Sequence, residues 1–206
     1  MSRPRVFVSR GLHPRVLARL DQVCDTKSWP EPGRCPVEVL EREGADADAV
    51  LGTDAWTALM MDKARRLRLI ALTAVGFDMV DVAAASERGI LVTNTPDVLT
   101  ETVADLTFGL ILAVARRISE TERWLRTGYW HTLGVTPMGR DIHHAALGIV
   151  GLGRIGAAVA ERARGFRMHV LYTDLARRDD LERQFGYRFV SLETLLGQSD
   201  FVTIHV

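Results

Sequence analysis

The chain has 206 residues, long enough for one large domain or two small ones. Its 26 lysines and arginines are matched by 26 aspartates and glutamates, so no net field draws it to nucleic acid or an anionic membrane surface. The opening residues run into an apolar stretch without a signal-peptide pattern, and no apolar run reaches spanning length, which points to a cytoplasmic protein without a membrane partner.

Short apolar runs alternate with helical patterns from the N-terminus. Arg5 to Ser9, Ala49 to Leu51, Leu69 to Leu72 and Ile90 to Thr93 read as buried strands. Pro14 to Leu20, Val37 to Glu43, Thr57 to Leu67 and Val80 to Arg88 read as the helices between them. Such alternation predicts a parallel sheet covered by helices, because parallel strands need crossovers. Cys24 and Cys35 have no His or Cys neighbours at metal spacing and read as reduced thiols.

The turn cluster Asn94-Thr95-Pro96-Asp97 ends this region. The longest helix is predicted from Thr100, as its cap, to Ile118, with Glu101 and Asp105 favoured by the dipole near its start. Its body is apolar on nearly every face, which predicts burial all round, between lobes or in a subunit interface. Residues 126 to 145 have no clean period and read as an arm. His143 and His144 stand in it without further ligands, a poor metal site.

Beyond the arm the alternation restarts: strands at Ala146 to Val150, His169 to Thr173, Arg188 to Val190 and Phe201 to Val206, helices at Arg154 to Gly165, Asp179 to Phe185 and Ser191 to Leu196. Between the first strand and helix lies Gly151-Leu152-Gly153-Arg154-Ile155-Gly156. A bare Gly-x-Gly-x-x-Gly is weak, but a strand before it and a helix after it give the dinucleotide-binding context. Gly151 makes the tight turn, Gly153 lets the backbone approach a pyrophosphate, and Gly156 lets helix and strand pack closely. Eighteen residues after Gly156, at the end of the next strand, Asp174 is placed to accept from the adenosine ribose hydroxyls and to repel a 2′-phosphate. This favours NAD, with NADP second because Arg177 and Arg178 follow closely. A turn or capping aspartate is the plainer reading of Asp174.

Several motifs now occur in one order: Ala74-Val75-Gly76-Phe77-Asp78, Arg88-Gly89-Ile90, Asn94 to Asp105, Arg116-Arg117, Gly128-Tyr129-Trp130 and Leu147 to Gly156. Over essentially its whole length the sequence resembles the D-isomer-specific 2-hydroxyacid dehydrogenases. Within them it is most similar to the glyoxylate/hydroxypyruvate and 2-ketogluconate reductase branch, through Gly139 to His144 and Leu195 to Val202. The resemblance implies an α/β protein of two lobes, a flavodoxin-like N-terminal lobe and an incomplete Rossmann NAD-binding lobe with parallel sheets. It divides the chain into a substrate lobe at 1–98, an interlobe helix region at 99–126, an arm at 127–145 and a partial NAD-binding lobe at 146–206.

The resemblance also implies roles. The amides of Val75 and Gly76 bind the substrate carboxylate, and Val75 lies near the nicotinamide. Val103 lines the nicotinamide pocket, the Gly151, Leu152, Gly153, Arg154, Ile155 and Gly156 loop holds the pyrophosphate, and Asp174 holds the adenine ribose. His205 and Val206 begin the loop along the cofactor's other edge, and Trp130 reaches toward a neighbouring subunit. Taken alone, Val75 and Val103 read as core packing, and Trp130 as core or interface packing. The implied activity is reduction of a small 2-keto acid to a 2-hydroxy acid in a homodimer joined through residues 100–145. The family's catalytic arginine, glutamate and histidine are expected beyond Val206. The chain alone is therefore expected to be inactive, with its last strand an exposed edge that favours association. A non-catalytic NAD(H)-binding or interaction module is the alternative.

Overall fold

A computed structural model describes residues 3–128 and 138–206 and divides the chain into two compact units, Met1–Pro96 and Asp97–Val206. The first unit is a five-stranded, all-parallel sheet of order β2-β1-β3-β4-β5. Its elements are β1 (Arg5–Val8), α1 (Pro14–Leu20), β2 (Asp25–Ser28), α2 (Val37–Asp46), β3 (Ala49–Gly52), α3 (Ala58–Lys63), β4 (Leu69–Leu72), α4 (Val82–Glu87) and β5 (Leu91–Thr93). Local chemistry sets the helix starts. Pro14 occupies the first turn of α1, and the His13 ring accepts a hydrogen bond from the Arg15 amide. Thr57 and Asp81 cap α3 and α4 through the amides of Met60 and Ala84.

Phe7, Leu40, Val50, Trp56, Met60, Met61 and Ile70 form the centre of this unit's core. Gly44 on α2 makes room for Trp56: a Cβ there would fall 2.5 Å from the indole. Hydrophobic patterning does not predict the strand β2. Its residues, Asp25-Thr26-Lys27-Ser28, are polar and mostly exposed, and it is held as an edge strand by the backbone ladder to β1.

The second unit holds α5 (Thr100–Ala115), α6 (Ile118–Arg126), β6 (Ala146–Val150), α7 (Arg154–Gly165), β7 (His169–Thr173), α8 (Asp179–Phe185), β8 (Arg188–Phe189), α9 (Leu192–Gln198) and β9 (Phe201–Ile204). Its parallel sheet has the order β8-β7-β6-β9, which is the expected 3-2-1-4 of a dinucleotide-binding half. Gly148 at the middle of β6 lets α9 approach, since a Cβ there would fall 2.5 Å from the Leu195 side chain. Helices α5 and α7 are joined by the stacked rings of Phe108 and Phe166, 5.4 Å apart, the latter just past the end of α7. Arg162 adds charge-assisted bonds to Glu101 and Asp105 at 2.8 and 2.6 Å.

Two expectations for the long helix are corrected. Thr100 is its first helical residue and not its cap: Leu99 takes that position and offers no side-chain acceptor. The helix ends at Ala115, because Arg117 adopts the left-handed conformation (φ 53°) and starts α6. Within the single chain it is buried on one face only. Ala104, Phe108, Ile111 and Ala115 make one buried stripe, while Leu106, Leu110 and Val114 are 63, 58 and 73% exposed. An apolar composition fixes no orientation: the small Ala104 and Ala115 allow close approach of the packed face. Trp130, expected to reach a neighbouring subunit, lies outside the described residues.

Candidate functional site

The glycine loop follows β6 and opens α7. Gly151 has φ +90°, where an L side chain is strained, and a Cβ would fall 2.6 Å from the His205 carbonyl. At Gly156 a Cβ would lie 2.0 Å from the Gly151 carbonyl oxygen, so only glycine lets the first turn of α7 close onto the loop. Gly153 is different: nothing lies within 4 Å of the place a Cβ would take. One glycine therefore turns the chain, one packs it, and one leaves an open approach.

That approach ends on unpaired donors. Among the described residues none accepts a hydrogen bond from the amides of Gly153, Arg154 or Ile155, and no side chain caps α7. Three N–H groups at the positive end of a twelve-residue helix form a cradle for an anion. Arg154 is held beside it by Asp97, at 3.3 Å. Ile155 is partly buried against the core and Leu152 fully so, which fixes the loop on the sheet.

Asp174 follows β7. Its Oδ2 accepts from the Leu152 amide and its Oδ1 from the Leu175 amide, both at 2.6 Å. Arg178 donates to the Leu152 carbonyl at 3.1 Å and pairs with Asp180 at 2.9 Å. Arg177 is paired with Glu182 and Asp179. Each arginine is held above the ordinary guanidinium range by the carboxylate it bonds, and the Glu182 carboxyl is held below its own range first by Arg177 and then by Tyr172. The role of Arg178 as a brace for the glycine loop was missed in the sequence, where two adjacent arginines read as a phosphate option.

His205 lies past β9. Its amide donates to the Val150 carbonyl at 2.7 Å, and its Nε2 is 2.9 Å from the Thr203 hydroxyl. Burial pushes its pKa below the usual value, so the ring is neutral at pH 7. His205 and Val103 line one groove of about 610 Å³ between α5 and β9, whereas Val206 is 94% exposed.

Val75 and Gly76 belong to the other unit, on the loop after β4. Their amides donate to no described residue. The Val75 carbonyl accepts from Asn94 Nδ2 at 2.8 Å and the Ala74 carbonyl from the Thr95 amide at 3.0 Å. The segment after β5 thus pins this loop with its two amides free. The sequence pattern gives no sign of the Asn94 clamp, although Asn94 opens the turn cluster that ends the first region.

Among the described residues no group of three or more His, Cys, Asp or Glu side chains is placed to hold a metal ion, and no helix is long and apolar enough to cross a membrane.

Residues 108–206 match the profile of the D-isomer-specific 2-hydroxyacid dehydrogenase NAD-binding domain. The chain is 44% identical over 208 residues to the glyoxylate reductase of Korarchaeum cryptofilum, covering 99% of this chain and 63% of that protein. It is 43% identical to that of Thermococcus kodakarensis, with the same coverage. Among solved structures it is similar to a protein of Thermus thermophilus (TM-score 0.85, 41% identity, 98% of this chain and 64% of that one). It is also similar to an NADPH-dependent glyoxylate/hydroxypyruvate reductase of Sinorhizobium meliloti, solved with NADP and malonate (TM-score 0.85, 34% identity, 100% and 63%). The chain thus spans a little under two thirds of the length of these relatives. With the glycine loop, the sheet order and these likenesses together, the chain belongs to the D-isomer-specific 2-hydroxyacid dehydrogenase family, with residues 108–206 matching its NAD-binding domain.

Proposed function

We propose that the chain supplies the dinucleotide cradle and the carboxylate-binding loop of an NAD(P)H-dependent reductase of small 2-keto acids, such as glyoxylate, hydroxypyruvate or 2-ketogluconate. The observation that carries this reading is the set of three unpartnered amides at Gly153, Arg154 and Ile155 beside the open face of Gly153. The bound nicotinamide would supply the hydride. The chain's own part is to bind and orient. The three amides and Arg154 take the pyrophosphate, with Gly151, Leu152 and Gly156 shaping the loop, and Asp174 takes the adenosine ribose. Val103, His205 and Val206 line the cofactor toward its nicotinamide end, and the free amides of Val75 and Gly76 bind the substrate carboxylate. NAD is favoured over NADP because Arg177 and Arg178 are already paired with carboxylates.

The 206-residue chain alone binds dinucleotide without turnover. In support, His13 caps α1 and the His143–Asp141 pair is exposed. A non-catalytic NAD(H)-binding module is thus the second reading. The protein works as a homodimer in the cytoplasm through the 100–145 region, a reading supported by the exposed leucines of α5. NADH titration followed by fluorescence, with glyoxylate-dependent NADH oxidation measured in parallel, tests both. Failure to bind either dinucleotide rejects both readings, and turnover by this chain overturns both its expected inactivity and the second reading.

A further inference from the structure

Helix α5 starts without a local anchor. Leu99 takes the cap position, and no side chain there accepts from the first turn. The stripe that packs the helix into its unit, Ala104, Phe108, Ile111 and Ala115, is apolar. Apolar burial is non-directional, so it does not set where along α7 the first turn of α5 comes to rest. A slip of one residue would move that turn by about 1.5 Å along the helix axis.

The directional contacts come from α7. Arg162, whose side chain is 22% exposed, donates from Nε to Asp105 Oδ1 at 2.7 Å. Its Nη2 donates to Glu101 Oε2 at 2.8 Å and to the Glu101 carbonyl at 3.3 Å. Its Nη1 donates to the Ala158 carbonyl of its own helix at 2.9 Å. All three guanidinium nitrogens are engaged, and a planar fork held this way has one orientation. Asp97, four residues before Glu101, meets Arg154 at 3.3 Å. Acids at every fourth position, Asp97, Glu101 and Asp105, are thus laid against α7 by two of its arginines.

The side chains of Glu101 and Asp105 are 72 and 71% exposed. Ion pairs whose carboxylates stand so far in water contribute little to stability. What they fix is position. Val103 lies between the two acids and lines the groove of α5 and β9 together with His205. The unpaired amides of Gly153, Arg154 and Ile155 open α7, and Arg162 stands about 12 Å further along the same helix. One guanidinium therefore joins the helix that begins at the anion cradle to the turn that carries Val103.

We propose that Arg162 is a positioning residue for the dinucleotide: it holds Val103 at the distance from the glycine-loop cradle at which the nicotinamide end is bound as well as the adenosine end. This rests on the reading of the cradle and Val103 as cofactor contacts. Titration of the 206-residue chain with NADH and with ADP-ribose, which keeps the adenosine and pyrophosphate but lacks the nicotinamide, tests it. The unaltered chain is expected to bind NADH more tightly than ADP-ribose. Arg162→Met should weaken NADH binding about tenfold, or about 1.4 kcal/mol, and ADP-ribose binding by less than about twofold. Arg162→Lys keeps the charge without the fork and should fall between. Glu101→Ala combined with Asp105→Ala alters only exposed side chains, should repeat the Arg162→Met pattern, and replaces that variant if it does not fold. A loss of affinity equal for the two ligands, or a loss for neither, overturns the positioning role and leaves the cradle reading standing. So does an unaltered chain that binds ADP-ribose as tightly as NADH, because Val103 then holds no nicotinamide. If the unaltered chain binds neither ligand, the cradle reading fails as well.

Discussion

The carboxylate of Asp174 accepts a hydrogen bond from the amide of Leu152 at 2.6 Å, so the residue read as the ribose acceptor also braces the glycine loop. Its two oxygens each receive one amide, and each retains acceptor capacity for a ribose hydroxyl. Asp174→Asn keeps an acceptor for Leu152 while removing the charge that repels a 2′-phosphate. NADH binding is expected to weaken about tenfold, or ~1.4 kcal/mol, and NADPH binding to weaken less. Titration of both dinucleotides checks this. Equal loss for the two would remove the argument for NAD preference.

Gly153 and Gly156 separate binding from folding. Gly156→Ala puts a methyl group 2.0 Å from the Gly151 carbonyl and should cost roughly 1–3 kcal/mol of stability by overpacking. Gly153→Ala meets nothing within 4 Å, so its stability should stay within about 0.5 kcal/mol. It should nonetheless weaken NADH binding, because the methyl group fills the side from which the pyrophosphate approaches. Denaturant unfolding and NADH titration of the two variants give the pair of readouts. A Gly153→Ala chain that binds NADH normally would show that the ligand approaches from elsewhere.

Periodicity made the strands of both sheets legible wherever burial follows the apolar pattern, as in Leu69–Leu72 and Ala146–Val150. It could not show β2, whose polar residues are held by main-chain bonds to β1 and by the Lys27–Glu43 ion pair. The break at Arg117 was hidden because a left-handed arginine carries no glycine or proline signal. The glycine loop was legible because its spacing encodes steric demands that recur at Gly151 and Gly156. The Asn94 clamp and the Ser9–Asp54 pair join residues 19 and 45 positions apart. Only the folded sheet brings such residues together, and no local pattern announces them.

His205 gives a pH dependence with a defined sign. Burial lowers its folded-state pKa below the usual imidazole value of 6.5. Below that value the unfolded chain therefore binds more protons at this site than the folded chain. Stability from this residue is fully present above about pH 6.5 and declines as pH falls toward the folded pKa. His205→Gln should remove that decline and narrow the loss of thermal stability between pH 7.5 and 5.5. NMR titration of the His205 ring should give a midpoint below 6.5. A midpoint at or above that value would contradict the burial argument.

Apolar side chains on α5 and β9 predict how the chain behaves in solution. Leu106, Leu110 and Val114 on α5 and Val202 and Ile204 on β9 are between 42 and 73% exposed, and all five line one groove. Contiguous apolar surface of this kind binds hydrophobic dyes and promotes association. The strand β9 stands at an edge of its sheet, where unpaired backbone groups add a second route to contact. The chain should therefore enhance anilinonaphthalene sulfonate fluorescence and sediment with an apparent mass that rises with concentration. The double substitution Leu110→Glu and Val114→Lys places opposite charges four residues apart on the exposed face. It should change stability by no more than about 0.5 kcal/mol while lowering both signals. A chain that remains monomeric at all concentrations and leaves the dye dark would show that the groove is closed in solution.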